Sequence, residues 1–174
     1  TDERAYLSLG GNLGDPAAAM AQALRIIDAD AETRVVAVSS LYRTPPWGKT
    51  DQPDFLNAAA AVETSHSPRE LLELCLDAER RLKRVRAERW GPRLIDIDIL
   101  LFSTATVDEG GLHIPHPRML ERAFVLVPLA EIAPSIMLAG VPVAERLASI
   151  DTGGIDRQPG GSKWWLSAWR DGKA

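Results

Sequence analysis

Two aspartates one residue apart, in Ile95-Asp96-Ile97-Asp98-Ile99, form the most chemically loaded pattern in the chain. In an extended strand residues i and i+2 share a face, so Asp96 and Asp98 would stand side by side while the three isoleucines turn to the opposite layer. Adjacent carboxylates repel one another and would repel a polyphosphate. Magnesium removes that conflict, because it takes oxygen ligands and bridges carboxylates to phosphate groups. A solvent-facing strand edge carrying two harmless aspartates explains the pair equally well. Upstream, Arg84, Arg86, Arg89 and Arg93 occupy a turn-rich stretch from which guanidinium forks could grip phosphate oxygens. A basic run at a helix end is also an ordinary solvated complement to the macrodipole, and the nearby aspartates are what favour phosphate chemistry. Trp90, next to Gly91-Pro92, can serve as a lid over a flat substrate or as a cap on the core.

A second cluster is His113-Ile114-Pro115-His116-Pro117-Arg118, with Arg122 and Phe124 beyond it. Zinc would need a further Cys or His at ligand spacing, and Pro115 argues against the helix on which paired zinc ligands usually sit. His116 as a donor to phosphate is the better reading, set against a structural hydrogen bond. Arg122 is a candidate phosphate contact, and Phe124 either core or a stacking platform. A third element joins Thr44-Pro45-Pro46-Trp47 to Phe55-Leu56-Asn57. An Asn in an apolar strand either has a structural partner or reads the amide-like edge of a heterocycle, since it carries donor and acceptor together.

These residues need elements to hold them. Ala5 to Leu9 alternates and runs into Gly10-Gly11-Asn12-Leu13-Gly14, a strand entering a turn. Asp15-Pro16 starts a helix through about Ile27. Thr33 to Tyr42 reads as one strand, ended by Pro45-Pro46, and Phe55 to Thr64 as another. Ser67-Pro68-Arg69-Glu70 is a capping box ahead of the apolar stripe Leu71, Leu72, Leu74, Cys75, Ala78 and Leu82, so a second helix follows. Lys83 to Arg93 reads as turn-rich, Ile95 to Phe102 as a strand, and short strands are expected around 105 to 114. Two strand-helix units that each return to a strand indicate an α/β sandwich on a mixed or antiparallel sheet. GGNLGD does not match the dinucleotide fingerprint, which disfavours a Rossmann fold.

The chain has 174 residues, of which 45% are hydrophobic, enough for one core and one domain over 1–174. From about Asp151 the composition shifts to Gly and polar residues, which reads as a loop or loosely tethered tail. A formal charge of -4 disfavours a general nucleic-acid binder. The single cysteine, Cys75, excludes an internal disulfide and reads as a small buried hydrophobe. No run approaches the roughly 18 apolar residues of a membrane span, and no secretory leader is visible, so a cytoplasmic protein without membrane contact is expected.

Taken together, Gly10-Gly11-Asn12-Leu13-Gly14, Ser40-Leu41-Tyr42-Arg43-Thr44-Pro45-Pro46, Phe55-Leu56-Asn57-Ala58, the stretch Arg89 to Leu100 and Ile114-Pro115-His116-Pro117-Arg118 resemble the 6-hydroxymethyl-7,8-dihydropterin pyrophosphokinase family, from Ala5 to about Pro134. The resemblance implies an α+β fold, a ferredoxin-like α/β/α sandwich with a central, mainly antiparallel sheet. It implies transfer of the β,γ-diphosphate of ATP to the pterin hydroxymethyl group in folate biosynthesis, with two Mg2+ ions held by Asp96 and Asp98. By the same carry-over Asp96, Asp98, Arg84 and Arg93 are catalytic. Glu79, Arg84, Arg86, Arg93, Ile99, His116 and Arg122 lie at ATP. Thr44, Pro45, Trp47, Phe55, Asn57, Trp90, Asp96 and Phe124 lie at the pterin. The partners implied are these two substrates, bound by a monomer. Departures include a basic loop one residue shorter than in some relatives, Pro117 where relatives can have Tyr, and Gly111 where a basic residue can occur. The segment with Trp164, Trp165 and Trp169 has no assigned counterpart and is expected to pack on the domain surface. The competing readings are a ligand-binding module without catalysis and a sheet that stacks RNA bases; the second is supported by neither an RNP-like motif nor a net basic charge.

Overall fold

The computed structural model describes residues 2–46, 51–87 and 95–166, with the backbone alone over 83–87. The order is β1 (Glu3–Gly11), α1 (Pro16–Ala29), β2 (Thr33–Val38), β3 (Tyr42–Thr44), β4 (Phe55–Thr64), α2 (Pro68–Ala87) and β5 (Asp96–Phe102). There follow a β6–β7 hairpin (Val107–Glu109, Leu112–Ile114), α3 (Ala123–Ile132), a β8–β9 hairpin (Met137–Leu138, Val141–Pro142), α4 (Val143–Leu147) and β10 (Asp156–Arg157). The main sheet runs β10-β3-β4-β1-β5, with β2 beside β3 along the same edge of β4, and every pairing in it is antiparallel.

Both helix starts follow from local chemistry. At α1 the Asp15 carboxylate accepts from the Ala18 amide at 3.2 Å and Pro16 takes the first helical position. At α2 the capping box is reciprocal: the Ser67 amide donates to Glu70 Oε1 (2.9 Å) and the Glu70 amide to Ser67 Oγ (3.1 Å). Both helices cover one sheet face, where Leu24, Ile27, Leu71, Cys75 and Ala78 meet Leu7, Leu9, Ala60, Val62, Ile97 and Ile99. The other face carries α3, whose Val125, Leu126 and Leu129 pack with Ala59, Leu100 and Leu101. In the middle of β4, Ala58, Ala59, Ala60 and Ala61 are buried in succession, two methyls to each layer.

The apolar end of β5 has a geometric cause. Tyr6 pairs with Leu101 but Leu7 with Ile99, so Leu100 is an extra residue in a β-bulge. Leu100 and Leu101 therefore both serve the α3 layer, and Phe102 returns to the α1–α2 layer.

Three expectations change. The strand expected over 33–42 breaks after Val38: the Ser39 amide still donates to the Ala59 carbonyl (2.8 Å), but Ser39 Oγ takes the Ala59 amide (2.9 Å) and the Ser40 amide turns to the Glu131 carboxylate (2.9 Å). The stretch from Lys83 is not turn-rich at its start: α2 continues through Ala87, as a run of Lys and Arg at a helix C-terminus favours. Residues 151–166 are not loosely tethered either. β10 pairs with β3, and Trp164 is buried with its Nε1 donating to the Ser39 carbonyl at 2.8 Å.

Candidate active site

The sheet face that carries α3 is left open toward the start of β5. Cross-strand partners in an antiparallel sheet point the same way, so register defines the lining: Asp96 opposes Gly10, Gly10 opposes Asn57, and Asn57 opposes Tyr42. Asp98 opposes Ser8 one step along, and Thr44 opposes Phe55 at the other end. Thr44, Phe55, Asn57, Asp96 and Asp98 thus share one surface; spacing leads one to expect this for Asp96 and Asp98, and the family resemblance groups the others with them. Gly10 is required here: a Cβ would stand 2.7 Å from Asn57 Oδ1, so the amide lies across the place a side chain would fill. Asn57 Nδ2 donates to Thr44 Oγ1 at 3.1 Å, which binds the two residues into one unit.

Both aspartates are accessible, Asp96 exposed and Asp98 half-buried. Their cross-strand partners are the small residues Gly10 and Ser8. An all-oxygen pair at an accessible strand end fits magnesium, which keeps water and substrate oxygens as its remaining ligands. Among the described residues no group of three or more His, Cys, Asp or Glu is assembled, so a protein-only cage is not on offer there. Between the aspartates, the Ile97 amide donates to Glu79 Oε2 at 2.7 Å, tying α2 to this strand.

Along the outer edge of β5 the chain returns through a cis Ile114–Pro115 bond, and the His116 amide donates to the Leu100 carbonyl at 3.0 Å. Burial holds the His116 imidazole below its ordinary value; the Asp98 charge pulls it upward, while Arg122, Arg118 and His113 push it down. Its Nδ1 accepts from the Arg118 amide at 3.2 Å, so in the neutral ring Nε2 carries the proton and is the donor. Arg122 precedes α3 and places its guanidinium 5.7 Å from the centroid of the Phe124 ring. His116, Arg122 and Phe124 therefore border the aspartate surface. Ile99 does not share it: its side chain is in the α1–α2 core, and only its backbone at the outer strand of the sheet is available. Pro45 is exposed where the 45–54 segment leaves β3. Trp47, Trp90 and Arg93, and the side chains of Arg84 and Arg86, lie outside the described residues.

Two sets of residues escaped sequence reasoning. Buried Asn12 donates to Gln52 Oε1 (2.9 Å) and to the Pro53 carbonyl (3.1 Å), pinning the chain just before Phe55. Glu131 accepts from the Tyr42 hydroxyl (2.7 Å), the Ser40 amide (2.9 Å), Ser40 Oγ (3.0 Å) and Arg157 Nη2 (3.0 Å). Burial together with Glu131 pushes the Tyr42 phenol up to about 12. The available signals were an Asn inside a glycine turn and the lone acid in the apolar run of residues 123–132.

Comparison with known proteins accords with this geometry. The wild-type Plasmodium falciparum HPPK-DHPS structure superposes with a TM-score of 0.66 over 89% of this chain and 47% of its own, at 16% identity, a likeness of fold. The architecture is thereby the ferredoxin-like α/β/α sandwich of the α+β class. The sequence profile of 7,8-dihydro-6-hydroxymethylpterin-pyrophosphokinase (HPPK) matches residues 6–134. A protein of Methylorubrum extorquens named 2-amino-4-hydroxy-6-hydroxymethyldihydropteridine pyrophosphokinase is 55% identical over 154 residues, 88% of this chain and 98% of the relative. A Bacillus subtilis protein of the same name is 48% identical over 132 residues, covering 76% and 79%. The chain belongs to the 7,8-dihydro-6-hydroxymethylpterin-pyrophosphokinase family, diphosphotransferases of folate biosynthesis.

Proposed function

We propose that the chain transfers the β,γ-diphosphate of ATP to the hydroxymethyl group of 6-hydroxymethyl-7,8-dihydropterin and releases AMP, in a magnesium-dependent reaction. The observation that supports the reading is the row Asp96–Gly10–Asn57–Tyr42 with Asp98 opposite Ser8 beside it, which brings two carboxylates and the Asn57 amide onto one sheet face. Family membership supplies the substrate class.

The hydroxymethyl oxygen forms a bond to the β-phosphorus as the bond from that phosphorus to the α-phosphate oxygen breaks, and the hydroxyl proton leaves to solvent. Asp96 and Asp98 would hold magnesium, which when bound neutralises polyphosphate charge and aligns its oxygens. His116, through Nε2–H, and Arg122 would donate to phosphate, and Arg84, Arg86 and Arg93 take the same task by family likeness. Glu79 and the Ile99 backbone border the nucleotide. Asn57 and Thr44 read the pterin edge, Phe55 and Phe124 offer aromatic surface, and Pro45, Trp47 and Trp90 belong to the segments that would cover it. Positioning and electrostatics provide the acceleration, and no general base is required of the chain.

The test is AMP formation with each component withheld in turn. AMP appearing only when ATP, magnesium and the hydroxymethylpterin are all present supports the proposal. Tight binding of both ligands without AMP would identify a binding module instead.

A further inference from the structure

Residues 151–166 lie beyond the stretch matched by the family profile, yet they contact one continuous strip of the domain. Trp164 Nε1 donates to the Ser39 carbonyl (2.8 Å), Arg157 Nε to Ser40 Oγ (3.1 Å), and the Gln158 amide to the Leu41 carbonyl (2.8 Å). Arg157 and Asp156 then pair with Tyr42 and Arg43 in register. Gly154, with φ +85°, lies so close to Pro45 that an added Cβ would meet its ring at 3.4 Å. The strip touched is therefore 39–45, and its far end is the Thr44–Pro45 pair.

β3 has three residues and gains ladder bonds from β4 on one side only, too little to fix a strand by itself. β10 supplies the other side. Arg157 also completes the ring of donors around Glu131, a carboxylate with 18% side-chain exposure, which holds Tyr42 and Ser40 from the α3 layer. Tyr42 is in turn the register partner of Asn57, and Asn57 donates to Thr44.

We infer that the C-terminal segment 154–164 is a brace that sets pterin affinity, with Arg157 and Trp164 as positioning residues that act through 39–45 and Glu131 on Thr44, Pro45 and Asn57. This rests on the reading of those three residues as pterin contacts. Trp164 and Trp165 also pack on the α1–α2 core, but the hydrogen bonds the segment makes to the rest of the domain fall on 39–45 and on Glu131, which holds that strip, and so lead to Thr44 and Pro45.

The full chain carrying Arg157→Ala, Arg157→Lys, Trp164→Phe or Asn57→Ala is titrated separately with the hydroxymethylpterin and with a nonhydrolysable ATP analogue plus magnesium. Arg157 is 60% exposed and Trp164→Phe keeps an aromatic in place, so both variants fold. Arg157→Ala and Trp164→Phe each weaken pterin binding about fivefold, the scale of a half-exposed ion pair or one hydrogen bond. Analogue affinity stays within about twofold, inside the scatter of a remote surface change. Arg157→Lys recovers part of the loss because it keeps the charge beside Glu131. Unchanged pterin affinity in both variants overturns the brace, as does an equal loss for both ligands. An Asn57→Ala chain that binds pterin normally refutes the pterin-site reading itself, a result distinguishable from failure of the brace.

Discussion

Gly10→Ala places one methyl where the structure has none to spare. Its Cβ would stand 2.7 Å from Asn57 Oδ1, while the next contact, the Leu56 carbonyl at 3.5 Å, is ordinary. The backbone at Gly10 is a regular strand, so the whole conflict falls on the Asn57 amide, which must rotate and give up its 3.1 Å bond to Thr44. Asn57 is 5% exposed, so the displaced amide cannot turn to bulk water. Overpacking of this kind costs about 1–3 kcal/mol, and the lost hydrogen bond accounts for about 1 kcal/mol of it. On the proposed reading of Asn57 as a pterin contact, losing the oriented amide should weaken pterin binding at least about tenfold, equivalent to about 1.4 kcal/mol. Chemical denaturation and pterin titration of Gly10→Ala, Asn57→Ala and the double variant form a cycle. With Asn57 already truncated the added methyl has nothing to strike, so Gly10→Ala should become nearly neutral in stability. Additive losses around the cycle, or undiminished pterin affinity in Gly10→Ala, would refute the reasoning.

Asp96→Asn and Asp98→Asn should each lower AMP formation by at least about a thousandfold, with unchanged far-ultraviolet circular dichroism; near-normal turnover in both would end the metal assignment. Ser67→Ala removes one half of the capping box and should cost about 1 kcal/mol by urea denaturation, a loss that an unchanged midpoint would contradict. Burial pushes the Asp30 carboxyl up, but the bonds it accepts from His66 (2.9 Å), the Glu32 amide and Thr33 outweigh burial and hold it below its ordinary value. A depressed carboxyl stabilises the fold above its unfolded value, at about pH 4, and that contribution fades as pH falls through the folded value. The stability gap between wild type and Asp30→Asn, followed by urea midpoints from about pH 6 downward, should therefore shrink toward acid; a gap independent of pH would count against the network.

The βαββαβ core and the aspartate pair of the open face were readable because each rests on local rules, whereas Thr44, Phe55 and Asn57 were joined to that pair by family resemblance. A capping box announces α2, alternation announces β1 and β5, and an i, i+2 spacing is enough to place Asp96 beside Asp98. What stayed hidden depends on distant partners. Residues 123–132 are apolar nearly all round with Pro128 inside, so no amphipathic period marks α3. The break between β2 and β3 is made by Glu131, ninety-one residues away from Ser40. β10 is two residues long and exists because β3 offers it an edge. The Gly-rich composition after Asp151 correctly signals weak intrinsic structure, and it conceals that Trp164 anchors the segment from its far end.

The alanines of β4 bear on how the enzyme can vary. Ala59, beside its cross-strand partner Ser8, packs against the α3 residues, so a single methyl sets the headroom between that helix and the sheet. A branched residue there would act as a shim, raising α3 and with it the Arg122 and Phe124 that edge the aspartate surface. On the proposed pterin reading, reshaping this face for a bulkier heterocycle is therefore more tractable at its rim than beneath α3, where Ala59 is 1% exposed.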